Sequence, residues 1–307
     1  MYRIAHVTDL HVLSDTAAHW RQIVFNKRVT GFANTMLRRG RVHRRDFLER
    51  VLDTASRTCD HLVVTGDITN LALESEYEEA VELLQHAART CETTVVPGNH
   101  DIYLPPIHHE RRFPHHFGRF LESDLPELTL DLPSGPFPCV KLRGPVALIA
   151  LTSAVPRPPF IAAGYLGHEQ LDALARILAH PEVRSRLPVI LLHHPPVDDR
   201  SRWRQLRDGL VDAEAFRRVL RPLDRGLVLF GHLHLRVRCA IRTDRGAVDV
   251  IGATGSALDH QNPAIRSGYN VYTIGDDGKL AAVESWVIDA GGGAFEPVEI
   301  SAGGGCR

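Results

Sequence analysis

Two imidazoles two residues apart, His232 and His234 in Gly231-His232-Leu233-His234, follow an apolar run, Leu227 to Phe230, that reads as a short buried strand. Gly231 lets the backbone turn where the strand ends, so both rings project from one point and can serve two metal ions. A lone H-x-H pair carries little weight. Other apolar runs of this chain, however, end in ligating residues too: Asp9 and His11 after Arg3 to Thr8, Asp67 after His61 to Thr65, Asn99 and His100 after Thr93 to Pro97, and His193 after Pro188 to Leu192. Taken singly, Asp9, Asp67 or Asn99 is more often a turn or cap residue than a ligand. Jointly they are not explained that way, because turns do not require histidines at the matching strand ends. Seven of these residues can ligate, His100 set aside: two carboxylates, an amide and four imidazoles, which, with no thiolate, suit Mn, Fe or Zn better than a calcium or a structural zinc site. A carboxylate able to bridge makes the set suitable for a two-metal centre.

These residues need strand ends that meet, and the rest of the chain supplies them. Amphipathic helices are predicted over Asp46 to Thr58 and Glu74 to Arg89, between the first three strands, with glycine at the strand exits. This is an α/β layered pattern, and in such sheets ligands sit beyond the carboxyl ends of the strands. Val146 to Leu151 is read as a further strand, Gly167 to His180 and Asp212 to Leu220 as helices, and Asp198 to Gly209 as a charged loop. Val237 to Arg242, Ala247 to Ile251, Tyr269 to Ile274 and Leu280 to Ile288 read as antiparallel strands of a second sheet packed on the first.

Composition excludes several classes. At 307 residues, 44% hydrophobic and 24% charged, the chain is an ordinary globular protein with a core that needs no staple. A net charge of −1 gives no global pull toward nucleic acid. Cys59, Cys91, Cys139, Cys239 and Cys306 are scattered without a C-x-x-C pair, which points to a reducing compartment. No signal-peptide core and no membrane-length apolar run is found, so a cytoplasmic location is expected.

We read residues 1–290 as one domain with two unusual stretches, followed by a flexible glycine-rich tail over 291–307. Residues 19–45 carry eight Lys or Arg and no acid, with apolar residues at helical spacing. Such basic amphipathic helices either pack on their own domain or lie on an anionic surface, so peripheral contact with the inner face of the membrane is expected as one option. Residues 102–144 lose regular patterning and read as a cap-like insertion, either a lid or an interface. Their paired histidines, His108-His109 and His115-His116, follow no strand and are read as solvated.

The stretches Asp9-Leu10-His11, Gly66-Asp67-Ile68-Thr69-Asn70, Gly98-Asn99-His100-Asp101, His193-His194-Pro195 and Gly231-His232-Leu233-His234 resemble, in order and in type, the five motifs of the calcineurin-like metallophosphoesterase family. The resemblance spans residues 9 to 234. It implies a four-layer α-β-β-α sandwich of two mixed sheets flanked by helices. It also implies two divalent metal ions: Asp9, His11 and His234 on one, Asn99, His193 and His232 on the other, Asp67 between them. His193 is preferred to His194 because related purple acid phosphatases place the ligand two residues before the proline. His100 would serve the leaving oxygen and Asp101 would orient that ring; Asn99 is also expected to act in catalysis. The implied reaction is hydrolysis by metal-activated hydroxide, of a phosphodiester such as a cyclic nucleotide or a similar small diester. Two alternatives stand beside it: a membrane-surface pyrophosphatase acting on a lipid-linked nucleotide such as UDP-diacylglucosamine, and a non-catalytic module that binds a phosphorylated ligand. Nucleic acid is the least favoured partner, since aromatic residues are sparse among the basic ones.

Overall fold

The computed structural model describes residues 1–13, 43–102 and 104–302. The segment 19–45 therefore lies outside the described residues up to position 42, as does the end of the tail from 303.

Strand β1 (Tyr2–Val7) is followed by helix α1 (Arg45–Thr58), β2 (His61–Val64), α2 (Glu74–Ala87) and β3 (Glu92–Val95). The three strands are parallel, with Val7 opposite Val64 and Val64 opposite Val95, so their carboxyl ends finish flush. The helices cover them because Phe47, Leu48, Val51, Leu52 and Ala55 on α1, and Tyr77, Ala80, Leu84 and Ala87 on α2, form buried stripes at helical spacing.

Two short helices, α3 (Pro105–His109) and α4 (Arg112–Phe117), and a hairpin of β4 (Leu130–Leu132) and β5 (Gly135–Phe137) come next. The chain continues through β6 (Cys139–Arg143), β7 (Val146–Ala150), α5 (His168–Ala179), α6 (Pro181–Arg184), β8 (Leu187–Leu191), α7 (Arg202–Asp208), α8 (Ala213–Leu220) and β9 (Arg225–Phe230). It ends with β10 (Val237–Arg242), β11 (Ala247–Gly252), β12 (Gly268–Ile274), β13 (Leu280–Ile288), β14 (Phe295–Pro297) and β15 (Ser301–Ala302).

These strands form two mixed sheets, ordered β14-β13-β12-β1-β2-β3 and β15-β10-β11-β9-β8-β7-β6. Alternation along β7 shows how they stack. Val146, Leu148 and Ala150 share a core with the first sheet, α1 and α2. Ala147, Ile149 and Leu151 instead pack with Leu174 and Ile177 of α5 and with Phe216 and Leu220 of α8. Central strands buried on both faces must be apolar at every position, which is why β7, β8 and β9 read as continuous hydrophobic runs. The result is the α-β-β-α sandwich.

Several expectations are corrected. The four late strands do not make a sheet of their own: β12 pairs antiparallel with β1 in the first sheet, whereas β11 runs parallel to β9 in the second. Helix α7 lies in the expected charged loop; none of its residues is buried, so it leaves no apolar stripe in the sequence. The insertion read over 102–144 gives up Cys139–Arg143 to the second sheet. In the tail read from 291, β14 pairs with β13 and β15 with β10. Cys59, Cys91 and Cys139 are free thiols. Among the described residues, no helix is long and apolar enough to cross a membrane.

Candidate metal centre

The first sheet brings Asp9 and His11 from the end of β1, Asp67 from the end of β2, and Asn99 and His100 from the end of β3. The second sheet brings His193 from β8 and His232 and His234 from β9. Two glycines permit the approach. A Cβ on Gly98 would lie 2.2 Å from both the backbone N and Oδ1 of Asp67, and one on Gly231 would lie 2.0 Å from Thr8 Oγ1. Neither site has room for a side chain.

The backbone is strained where the ligating types sit. Asp9, His11, Asp67, His232 and His234 all adopt left-handed φ values, between 45° and 67°. Asp and His tolerate this region better than most residues, at a cost of order 1 kcal/mol each. Hydrogen bonds hold the turns: Asp9 N to Gly66 O and His11 N to Asp67 O, each 2.9 Å, and His232 N to Asp9 Oδ2 at 3.1 Å.

Two clusters result. His234 Nε2 is 3.0 Å from Asp9 Oδ1 and 3.4 Å from His11 Nε2. His193 Nε2 is 3.2 Å from His232 Nδ1. Asp67 lies between them, with Oδ2 3.9 Å from His11 Nε2 and Oδ1 3.4 Å from His193 Nε2. The outer nitrogens are fixed by carbonyls: His193 Nδ1 donates to Thr65 O at 2.7 Å and His232 Nε2 to Asp208 O at 2.8 Å. This sets the tautomers so that His232 Nδ1, and His193 Nε2 once it has given up its proton, present lone pairs inward. The amide oxygen of Asn99 is buried with no hydrogen-bond partner, which a cation would remedy. Carboxylate and imidazole donors within 4.8 Å of one another, in the groups Asp9-His11-His234 and Asp9-Asp67-His193, fit divalent metal ions.

The neighbour of His193 is used differently. His194 Nδ1 is 2.8 Å from Ser153 Oγ and its Nε2 donates to Ala162 O at 2.8 Å, so both ring nitrogens are engaged. Asp101 departs from expectation. Its carboxylate accepts from the backbone N–H groups of Ile68, Thr69 and Gly98 at 2.7 to 3.1 Å, tying the Asp67 loop to the Asn99 loop. With its oxygens spent on amides, it does not orient His100; the His100 Nδ1 donates to the carbonyl of Asn70 at 2.5 Å instead.

Charge is balanced within the centre. Burial raises the Asp67 carboxyl, but His193, His100 and His11 prevail and hold it well below the usual range. Burial likewise raises Asp9, and His234 brings it below. Burial lowers His193, yet the Asp67 carboxylate outweighs it and lifts the ring to about 9. Burial and His193 together push His232 down to about 4. Without metal, then, a proton on His193 sits where cationic charge offsets the carboxylates.

Several contributors gave no signal in the sequence. Thr65 and Asp208 act through backbone carbonyls, which any residue type offers. Thr8 donates its hydroxyl to Asp9 Oδ2 at 2.9 Å, and the His43 ring stands edge-on to His11 with centroids 5.2 Å apart. Only the Thr8 hydroxyl could have been found, from its position beside Asp9 at a strand end.

A model of the calcineurin-like phosphoesterases matches residues 2–236. Among curated proteins, a probable cyclic nucleotide phosphodiesterase of Vesicomyosocius okutanii is 26% identical over 242 residues, covering 78% of this chain and 88% of that protein. Another protein so named, from Synechococcus, is 25% identical over 285 residues, covering 92% of both. Among solved structures, a dimetal phosphatase from Danio rerio aligns over 98% of this chain and 99% of its own at 14% identity and a TM-score of 0.54. A purple acid phosphatase from yellow lupin aligns over 96% of this chain and 52% of its own, at 12% identity and a TM-score of 0.59. At these identities the structural likeness concerns the fold.

Proposed function

From the calcineurin-like phosphoesterase family, to which this chain belongs, we propose a dinuclear phosphodiesterase that hydrolyses a cyclic nucleotide or a similar small diester. That the chain is a phosphoric ester hydrolase follows from the family itself; the metal count, the residue roles and the diester are the proposal. The observation that carries it is the position of Asp67, whose two oxygens face His11 on one side and His193 on the other. In this reading Asp67 bridges, Asp9, His11 and His234 complete one site, and Asn99, His193 and His232 complete the second. When bound, the two cations would supply Lewis acidity toward the phosphoryl oxygens and an activated water.

The residues themselves do the positioning. The Thr65 and Asp208 carbonyls aim His193 and His232, and the left-handed turns at Asp9, Asp67 and His232 point their side chains into the gap between the sheets. His100 is held by the Asn70 carbonyl through Nδ1, and in this reading its ring would pass a proton to the departing oxygen. The names of the two bacterial relatives support a cyclic nucleotide as the diester.

Turnover by metal-reconstituted enzyme tests the reading on a matched panel: an aryl phosphomonoester, an aryl phosphodiester, cyclic nucleotides, and a UDP-linked lipid pyrophosphate in micelles. Preference for the small diesters is expected. Selective turnover of the lipid pyrophosphate, or of the monoester, contradicts it.

A further inference from the structure

Eight large hydrophobic side chains are exposed among the described residues, and six of them lie on two adjoining segments: Phe160, Ile161 and Tyr165 on one, Trp203, Leu206 and Val211 on the other. Phe160 and Trp203 are 77% and 74% exposed, and Leu206 is 67% exposed. Scattered exposed hydrophobics need no explanation, but a concentration of this kind does. Phe160 also holds a left-handed backbone, with φ of 67°, an uncommon conformation for a bulky residue.

The two segments are joined to each other and to the metal centre. Ala162 N donates to Arg207 O at 2.8 Å, Gly164 N to Gly209 O at 2.9 Å, and Val211 N to Gly164 O at 3.0 Å. The Ala162 carbonyl accepts from His194 and the Asp208 carbonyl from His232. The exposed side chains therefore form a lip rooted at His232 of the centre and at His194 beside it.

Helix α7 shows what would cover this lip. Its inward side is fixed by Gln205, whose Nε2 donates to the carbonyls of Asp198 and Arg200. Trp203 and Leu206, three apart, share the outward side. Arg202 and Arg204 flank Trp203, are exposed, and have no acidic partner among the described residues. The carboxylates of Asp198 and Asp208 are taken by Arg200 and Arg207, leaving Asp199 as the exposed acid of the stretch. A surface that accepts an indole and an aliphatic chain while meeting unpaired guanidinium groups is apolar within and anionic at its edge. A second copy fits poorly, since a self-complementary contact would set Arg202 and Arg204 against themselves.

We propose that the lip formed by residues 160–165 and 202–211 docks the protein on an anionic phospholipid surface, with Trp203, Leu206 and Phe160 entering the interface and Arg202 and Arg204 meeting the headgroups. Docking of this kind does not depend on which ester is cleaved.

The test is co-sedimentation of the full chain with phosphatidylcholine vesicles, with and without phosphatidylglycerol, comparing wild type with W203S/L206S and R202E/R204E. The wild type should sediment with the anionic vesicles and far less with the neutral ones, and each double variant should lower partitioning by about tenfold or more. Turnover of a soluble aryl phosphodiester without vesicles should be retained in both, showing that they fold. Undiminished binding by W203S/L206S would place the contact elsewhere and overturn the proposal. So would wild type that binds neither vesicle, or that self-associates in solution through Trp203 and Leu206 without sedimenting with lipid.

Discussion

His6 and His61 in the first sheet are as deeply buried as His193 at the centre, yet their chemistry is opposite. The His6 ring lies between Tyr272 Oη at 2.9 Å and Thr65 Oγ1 at 2.8 Å, and His61 Nε2 is 2.8 Å from Thr94 Oγ1. Hydroxyls satisfy a neutral ring, and desolvation takes both residues down to about 3. The Asp67 carboxylate facing His193 instead lifts that ring to about 9. His61 also has a carboxylate near, Glu92 at 3.7 Å, but burial, Lys141 and Arg143 outweigh it; only where the buried Asp67 faces His193 does the carboxylate prevail and make a position at which a cation can replace the proton.

Removing the shared carboxylate should break the contrast most severely. Asp67→Asn leaves four imidazoles without their central charge, and diesterase activity should fall by more than about a thousandfold. Activity within tenfold of wild type would deny Asp67 the central place.

His100→Gln comes next. Loss of a proton donor at the leaving oxygen should lower kcat about a hundredfold with metal content unchanged. A smaller penalty on an ester whose leaving group needs no proton would sharpen the assignment, whereas equal losses on good and poor leaving groups would refute it.

Asp101→Asn separates fastening from catalysis. Weakening the ties to Ile68, Thr69 and Gly98 should cost roughly 1–3 kcal/mol of stability, read as a lowered melting temperature, while the pH profile keeps its shape. A shifted acidic or basic limb at unchanged stability would return Asp101 to a direct role.

The last contrast is in the pH dependence of the metal-free chain. His6 and His61 have folded pKa values below the ordinary histidine value, so the unfolded chain binds protons that the folded one refuses. Stability should be lost as pH falls from about 6.5 toward 3, by at most about 1.4 kcal/mol per pH unit for each group. His193 has the opposite sign: its contribution is full below about 6.5 and is lost as pH rises through 9. Denaturant midpoints across pH should show His61→Gln flattening the acid limb and His193→Gln the alkaline limb. Identical slopes in both variants would erase the distinction drawn between the two sets.

Much of this was legible because the motif residues follow apolar runs, and such runs end where sheets end. Asp9, His11, Asp67, Asn99, His100, His193, His232 and His234 all lie at strand ends brought together by the two sheets. Helix α7 was not legible, having no buried face to give it a period. The partition of β10 to β13 between two sheets was not legible either, because an antiparallel pattern does not say which sheet edge it joins. Asp101 was misread because sequence adjacency to His100 says nothing of where its carboxylate turns. The Ser153 hydroxyl and the Ala162 carbonyl occupy both ring nitrogens of His194, hydrogen bonding that sequence could not display.

The most direct test is metal stoichiometry, by elemental analysis of wild type and Asp67→Asn after reconstitution with Mn, Fe or Zn and desalting. Two ions per wild-type chain, with the second lost or sharply weakened in Asp67→Asn, is the predicted result. A folded, active wild type that retains fewer than two ions, or an Asp67→Asn chain that keeps both, would contradict a centre built around a shared carboxylate.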